Sequence, residues 1–341
     1  MDRLAEISFK IISQILKVKE KQVISISSDI LNASDSENPL NEIPFAEELS
    51  IAIRKRKAFP IWETSTENLR QRFFAEMSDE ILAVEPNYYK DWIETIDAFI
   101  EIGWHSIENV YTQEEKSQLK KLKAPLYHLW QQILTQKKKL LFLNFPSRRL
   151  AKHLNKNFKF IRNSYLEAVN CNYNELELHC SRIYHKIINF NKHKITFPNQ
   201  ELTFKIQKDD TSIFNGTNNN IVILPTGKIE FILKKSSLNG TFIAERAYYK
   251  KSTYRNLKLN FENGDLMYVS FENERSDNFT LKNALLNTQE ECSISMGLNP
   301  QIMEFTNYYS YDRCIDGLLA LKFLDSTNNQ IILANKNAEI K

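Results

Sequence analysis

The chain has 341 residues, 42% of them hydrophobic and 26% charged, with 45 basic against 42 acidic side chains and a net charge of +3. A chain of this length and balance folds as an ordinary soluble globular protein of two domains, or one large one. Its near-neutral charge gives no argument for nucleic acid or an anionic membrane as partner, so neither is expected.

Residues 1–18 place apolar side chains at Leu4, Ile7, Ile11, Ile15 and Val18 with charges threaded between them. That spacing predicts an amphipathic helix rather than a signal peptide. A strand follows at Val23–Ser27, then a helix opened by Pro44 and running to Lys57, and a second strand at Phe59–Glu63. The stretch 68–82 reads as helix and the run Ala98–Ile102 as strand. A polar helix at 114–136, kinked at Pro125, leads into Leu140-Leu141-Phe142-Leu143, the cleanest strand signal in the chain. Short apolar strands separated by helices predict a parallel sheet covered by helices. Helices are expected at 148–154, 158–170 and 174–189.

From Lys194 the texture turns to β: 203–206 and 257–261 alternate, 221–224 and 229–233 are short apolar runs, and Asn-Gly and Thr-Gly pairs between them suit tight turns. The expected fold class is α/β, with an N-terminal parallel-sheet α/β domain (1–190) followed by a β-rich α+β domain (191–341). The run of 221–224 falls in the second.

Few residues carry obvious chemistry. The six histidines (105, 128, 153, 179, 185 and 193) form no HExxH motif, and none follows residue 193. The four cysteines (171, 180, 292 and 314) contain no CxxC pair and read as reduced thiols of a cytoplasmic protein. GxGxxG, Walker and GxSxG patterns are absent. The pairs Asp209-Asp210 and Glu290-Glu291 read as solvated turn residues. The tyrosines at 248, 249, 308, 309 and 311 read either as strand-edge packing with hydroxyls reaching water or as a ring-lined groove for an extended peptide.

Five of the seven glycines lie between residues 224 and 317, in Leu224-Pro225-Thr226-Gly227-Lys228, Leu238-Asn239-Gly240-Thr241, Glu262-Asn263-Gly264-Asp265, Met296-Gly297-Leu298-Asn299-Pro300 and Asp312-Arg313-Cys314-Ile315-Asp316-Gly317. Their order and spacing resemble the aminopeptidase T / aminopeptidase S family of dinuclear metallopeptidases. Pro146-Ser147-Arg148-Arg149-Leu150-Ala151 resembles that family's Pro-Thr-x-x-x-Ala segment, and 220–230 its Asn-x-Pro-x-Gly-Glu stretch.

The resemblance implies metal ligands at three positions near these glycines, and this chain has Lys228, Ser293 and Ala320 there. The family's closing His-x-Asp has no counterpart in 328–341. A protonated lysine repels a divalent ion and has no lone pair to give it. The expectation is therefore an aminopeptidase-like pseudoenzyme without metal or other cofactor, a homodimer as in the family, binding a peptide or peptide-like ligand through Lys228, Glu230, Ser293, Asn299 and Arg313. Asp312 and Arg313 are alternatively a local ion pair, and Lys228 alternatively a surface lysine on a hairpin. Lys228→Glu is expected to weaken ligand binding without unfolding the protein.

Three readings compete with this one. A ligand register slipped by a residue or two would bring in Glu230, Glu290 or Glu291 and restore a metallopeptidase. Metal-independent chemistry in the same place would use Cys292 or Cys314. A purely structural assembly protein would use the second domain as its interface. The abundance of Lys, Asn and Ile suggests a bacterial source.

Overall fold

A computed structural model describes residues 3–30, 43–82, 84, 89–103, 117, 126–189, 193–198, 200–250, 252–272 and 278–341. The expected kink at Pro125 and His105 lie outside the described residues, as do the side chains of His128, Asp209 and Asp210. The chain divides into two compact units, 1–174 with 216–226, and 175–215 with 227–341. These bounds differ from a single change at residue 190.

The first unit is built on five strands: β1 (Val23–Ile30), β2 (Phe59–Thr66), β3 (Ala98–Ile102), β4 (Lys139–Leu143) and, later in the chain, β8 (Ile221–Leu224). They run in the order β2-β1-β3-β4-β8, and every neighbouring pair is parallel. All four strands expected in the first half are present. The correction is β8, which leaves the β-rich texture around it and pairs in register with β4, Ile221 opposite Leu140 and Leu224 opposite Leu143.

Helices cover this sheet. Ile93, Ile96, Phe99, Ile133, Leu140 and Phe142 form one buried cluster, with Trp92 edge-on to Phe99 at 5.4 Å. The first helix is shorter than its apolar pattern suggests. Its α-helical part, Arg3–Lys10, passes into a π-helical turn at Ile11–Ile15. The wider turn lets the adjacent Ile11 and Ile12 both be buried alongside Ile15. Ser147 caps the helix Arg148–His153, its Oγ accepting from the Leu150 amide at 3.0 Å.

The second unit begins within the helix Tyr173–Ile188. Its strands are β5 (His193–Phe197), β6 (Gln200–Phe204), β7 (Ile206–Phe214), β9 (Lys228–Lys234), β10 (Asn239–Tyr249), β11 (Ser252–Glu262), β12 (Asp265–Phe271), β13 (Thr288–Gly297), β14 (Leu319–Asp325), β15 (Gln330–Asn335) and β16 (Glu339–Ile340). They form one sheet ordered β16-β5-β6-β10-β15-β14-β13-β9-β7, with β11 and β12 extending from β10. Every pairing is antiparallel. The alternating run 203–206 is divided at Lys205 between β6 and β7. Asn263 and Gly264, both at positive φ (50° and 89°), make the tight turn between β11 and β12 that an Asn-Gly pair favours. Phe231, Phe242 and Phe323 are almost fully buried. The fold class is thus a parallel-sheet α/β unit with a large antiparallel β-rich unit, as the sequence indicates.

Candidate functional site

Register brings the three expected ligand positions to one face of three adjacent strands. In the antiparallel ladder between β9 and β13, Lys228 faces Gly297, Glu230 faces Ser295 and Ile232 faces Ser293. Between β13 and β14, Ser293 faces Lys322 and Ser295 faces Ala320. Directly opposed residues point to the same side of a sheet, and so do residues two apart along a strand. Lys228, Glu230, Ser293, Ser295, Ala320 and Lys322 therefore share a face.

An ion pair anchors this polar stripe. The Lys228 ammonium lies 2.5 Å from Glu230 Oε2, with side-chain exposures of only 9% and 16%. Ser293 Oγ donates to Glu230 Oε1 at 2.9 Å, and Lys322 Nζ is 3.5 Å from the same oxygen. Lys228 also lies 4.5 Å above the centre of the Phe214 ring. This corrects the reading of Lys228 as a surface lysine on a hairpin.

The electrostatics follow from the geometry. Burial alone would raise the Glu230 carboxyl, but Lys228, Lys322 and the Ser293 hydroxyl outweigh it and hold the group down at about 2. Burial lowers the Lys228 amine, the Glu230 charge opposes this, and the Arg313 charge lowers it further. Beside them, burial pushes the half-buried Tyr309 phenol up to about 12. Of the expected residues, Lys228, Glu230 and Ser293 thus meet directly, and Arg313 acts on Lys228 through its charge. The Arg313 Nε is buried without a hydrogen-bond partner among the described residues.

Asn299 is used differently. It is fully buried, its Oδ1 accepts from the Gln301 amide at 3.0 Å, and its own amide donates to the Cys314 carbonyl. These bonds hold the crossing in which Asn299 bridges to Ile315. Asp312 does not pair with Arg313: it accepts from the Thr306 amide and hydroxyl, both at 2.7 Å, and from the Tyr248 hydroxyl at 2.8 Å. Tyr249 likewise donates to Asp325 at 2.8 Å. These two tyrosine hydroxyls bind carboxylates and do not reach water. Tyr309, one of the clustered tyrosines, lies at this site, and Lys322 completes it without having been singled out, since only pairing with β13 brings Lys322 to Glu230.

Do these side chains fit the divalent ions that the resemblance implies? Glu230 is the carboxylate of the cluster and both of its oxygens are engaged by lysines and a serine. Two ammonium groups beside it repel a cation. Glu290 is 89% exposed and bridges Lys235 at 3.9 Å. Among the described residues no group of three or more His, Cys, Asp and Glu is arranged to hold a metal. The residues at these positions do not fit a divalent ion.

The thiols are also poorly placed for chemistry. Cys292 and Cys314 are each 1% exposed. Burial pushes the Cys292 thiol up to about 12 and raises that of Cys314. We expect neither to react with iodoacetamide at pH 7 until the protein is unfolded. Mass-spectrometric detection of rapid alkylation in the native state would contradict this and favour thiol chemistry.

No family model matches the chain, and no curated protein matches it. Solved structures do. The wild-type AmpT of Thermus thermophilus is similar with a TM-score of 0.62 at 12% identity, over 99% of this chain and 94% of that one. The 2,5-dihydroxypyridine dioxygenase of Pseudomonas putida KT2440 is similar with a TM-score of 0.56 at 11% identity, over 99% and 93%. The chain has an aminopeptidase-like fold. A dioxygenase shares it, so the fold by itself does not choose a chemistry. Among the described residues no helix is long and apolar enough to cross a membrane.

Proposed function

We propose that this protein is a non-catalytic member of the aminopeptidase-like fold that binds a peptide or peptide-like ligand beside the Lys228–Glu230 pair. The observation that supports the reading is a buried Lys228–Glu230 ion pair on the shared face of β9, β13 and β14, where the resemblance would place metal ligands. Such a pair supplies local charge for recognition but no Lewis acid and no metal-bound hydroxide. In the proposed complex Lys228 and Glu230 are already satisfied by each other, so they position their neighbours. The ligand-facing groups are the Arg313 guanidinium, which suits a carboxylate or a peptide carbonyl, and the Ser293 and Tyr309 hydroxyls. Asn299 is left out of this set.

Calorimetric titration of trialanine, with a free and with an amidated C-terminus, tests the proposal. Binding of the free acid, weakened about tenfold by Arg313→Gln, is expected. The reading fails if the protein retains near-stoichiometric zinc, manganese, cobalt or iron and cleaves trialanine, or if neither peptide binds.

The lowered Lys228 amine and the buried Arg313 Nε lie around one cluster, so Lys228→Glu is not the mild change the sequence suggests. It would set two carboxylates side by side in a buried site, and loss of fold, not loss of binding, is its expected result.

A further inference from the structure

A second, unrelated site lies in the β-rich unit, lined mainly by β5, β6 and the start of β10, with Lys234 at the end of β9. A cavity of about 620 Å³ is bordered by Lys194, Lys205, Lys234 and Lys341, and none of its ten lining residues is acidic. The chain as a whole nearly balances its basic and acidic residues, 45 against 42, so this lining is locally biased toward positive charge.

The lysines come in two pairs joined through the backbone. The Lys234 amide donates to the Lys205 carbonyl at 3.3 Å. Ser237 locks the same two residues together, its Oγ accepting from the Lys205 amide at 2.8 Å and donating to the Lys234 carbonyl at 2.6 Å. On the other pair, Lys194 and Lys341 exchange both amide-to-carbonyl bonds, at 2.9 and 2.8 Å.

Charge compensation differs between the pairs. Lys194 meets Glu201 at 3.0 Å and Lys341 meets Glu339 at 3.5 Å, both exposed bridges of little strength. Lys205 and Lys234 have no ion-pair partner among the described residues. The wall behind them is apolar: Phe204 is buried and stacked on His193 at 5.5 Å. A concave site with an apolar wall, bordered by four lysines whose backbones are tied together in pairs, suits a small multivalent anion. A flat basic track would suit a nucleic-acid strand.

We infer that this cavity binds a small phosphorylated molecule carrying at least two negative charges, with Lys205 and Lys234 as its principal contacts. The volume exceeds that of one phosphate group, so the ligand is either a diphosphate or a phosphate ester with an organic part, and the two share the same recognition chemistry.

The test is titration of the full chain with inorganic pyrophosphate, ATP and, separately, a uridine decanucleotide. One-to-one binding of pyrophosphate or ATP is expected, weakened at least about tenfold in Lys205→Gln/Lys234→Gln and unchanged in Lys258→Gln, an exposed lysine on β11. Tighter binding of ATP than of pyrophosphate assigns the remaining volume to an organic group, and the reverse assigns it to a diphosphate. If the double variant does not fold, reductive methylation of the wild-type protein decides instead: pyrophosphate should protect Lys205 and Lys234 and leave Lys258 reactive. Absence of pyrophosphate and ATP binding, binding of the oligonucleotide alone, or equal affinity in the folded double variant each overturns the inference.

Discussion

Replacing Lys228 by methionine should cost the protein about 3 kcal/mol in urea denaturation, whereas replacing Lys228 and Glu230 together by methionine and leucine should cost less than about 1 kcal/mol. The asymmetry follows from burial. Removing one partner leaves a charge in a site from which water is largely excluded, and removing both abolishes the desolvation penalty along with the attraction. Lys322 and Ser293 still bind Glu230 in the single variant, which keeps the cost at the lower end of the range for a broken buried pair. Additive costs in the double variant would show that the two side chains do not act as a unit.

The same pair predicts a pH dependence. The Glu230 carboxyl is held at about 2 in the folded protein against an ordinary 4.5. The stability it contributes is fully present above about 4.5 and is lost as the pH falls through about 2. Without Lys228 the folded value moves back toward the ordinary one, so acid unfolding of Lys228→Met should begin at higher pH than in the wild type. The buried Lys228 amine runs the other way: its value is lowered from 10.5, so its contribution to stability rises as the pH climbs from the folded value toward 10.5.

Gly297→Ala is expected to be the most damaging single methyl group that can be added near the site. A Cβ there would lie 2.1 Å from the Ile315 carbonyl oxygen and 2.8 Å from the Cys314 carbonyl carbon. Both are backbone atoms of a crossing held by three hydrogen bonds: Asn299 to Cys314, Gly297 to Leu318, and Gly317 to Gly297. The clash cannot be relieved by turning a side chain, so a loss of about 3 kcal/mol or more is expected. Because Gly297 stands opposite Lys228, the variant should also disturb the ion pair. A melting temperature within about 2 °C of the wild type would show that the crossing yields more readily than its bonding suggests.

Much of this architecture is readable from the sequence, and the misreadings have a common cause. Leu140–Leu143 and Ala98–Ile102 are recognisable as strands because a short run that is apolar on both faces belongs in a covered parallel sheet. The run of 221–224 has the same texture but is surrounded by β-rich sequence, and nothing local says that its partner lies eighty residues earlier in β4. Lys228 was expected at the ligand site, and the alternative of a surface lysine arose because a charge after Thr-Gly usually is one. Its partner Glu230 stands two residues along on the same face of a strand, and that spacing was the available signal. Lys322 had no such signal, being brought to Glu230 only by the pairing of β13 and β14. Asn299 was selected because it follows a motif glycine, and in the structure its backbone amide and Oδ1 bond within the crossing.

One consequence of the late strand β8 concerns synthesis. The first unit's sheet acquires its last strand only when residues 221–224 have emerged, about fifty residues after Asn174. At about 5–20 residues per second, β4 waits several seconds on the ribosome with its outer row of amides and carbonyls open. Its side chains Leu140, Leu141 and Leu143 are ones the finished protein hides. A fragment ending at Asn174 would hold that edge open permanently, so it should aggregate where the whole chain does not. Dividing this protein for separate expression therefore calls for carrying 216–226 with the N-terminal part, not for a cut at a single point.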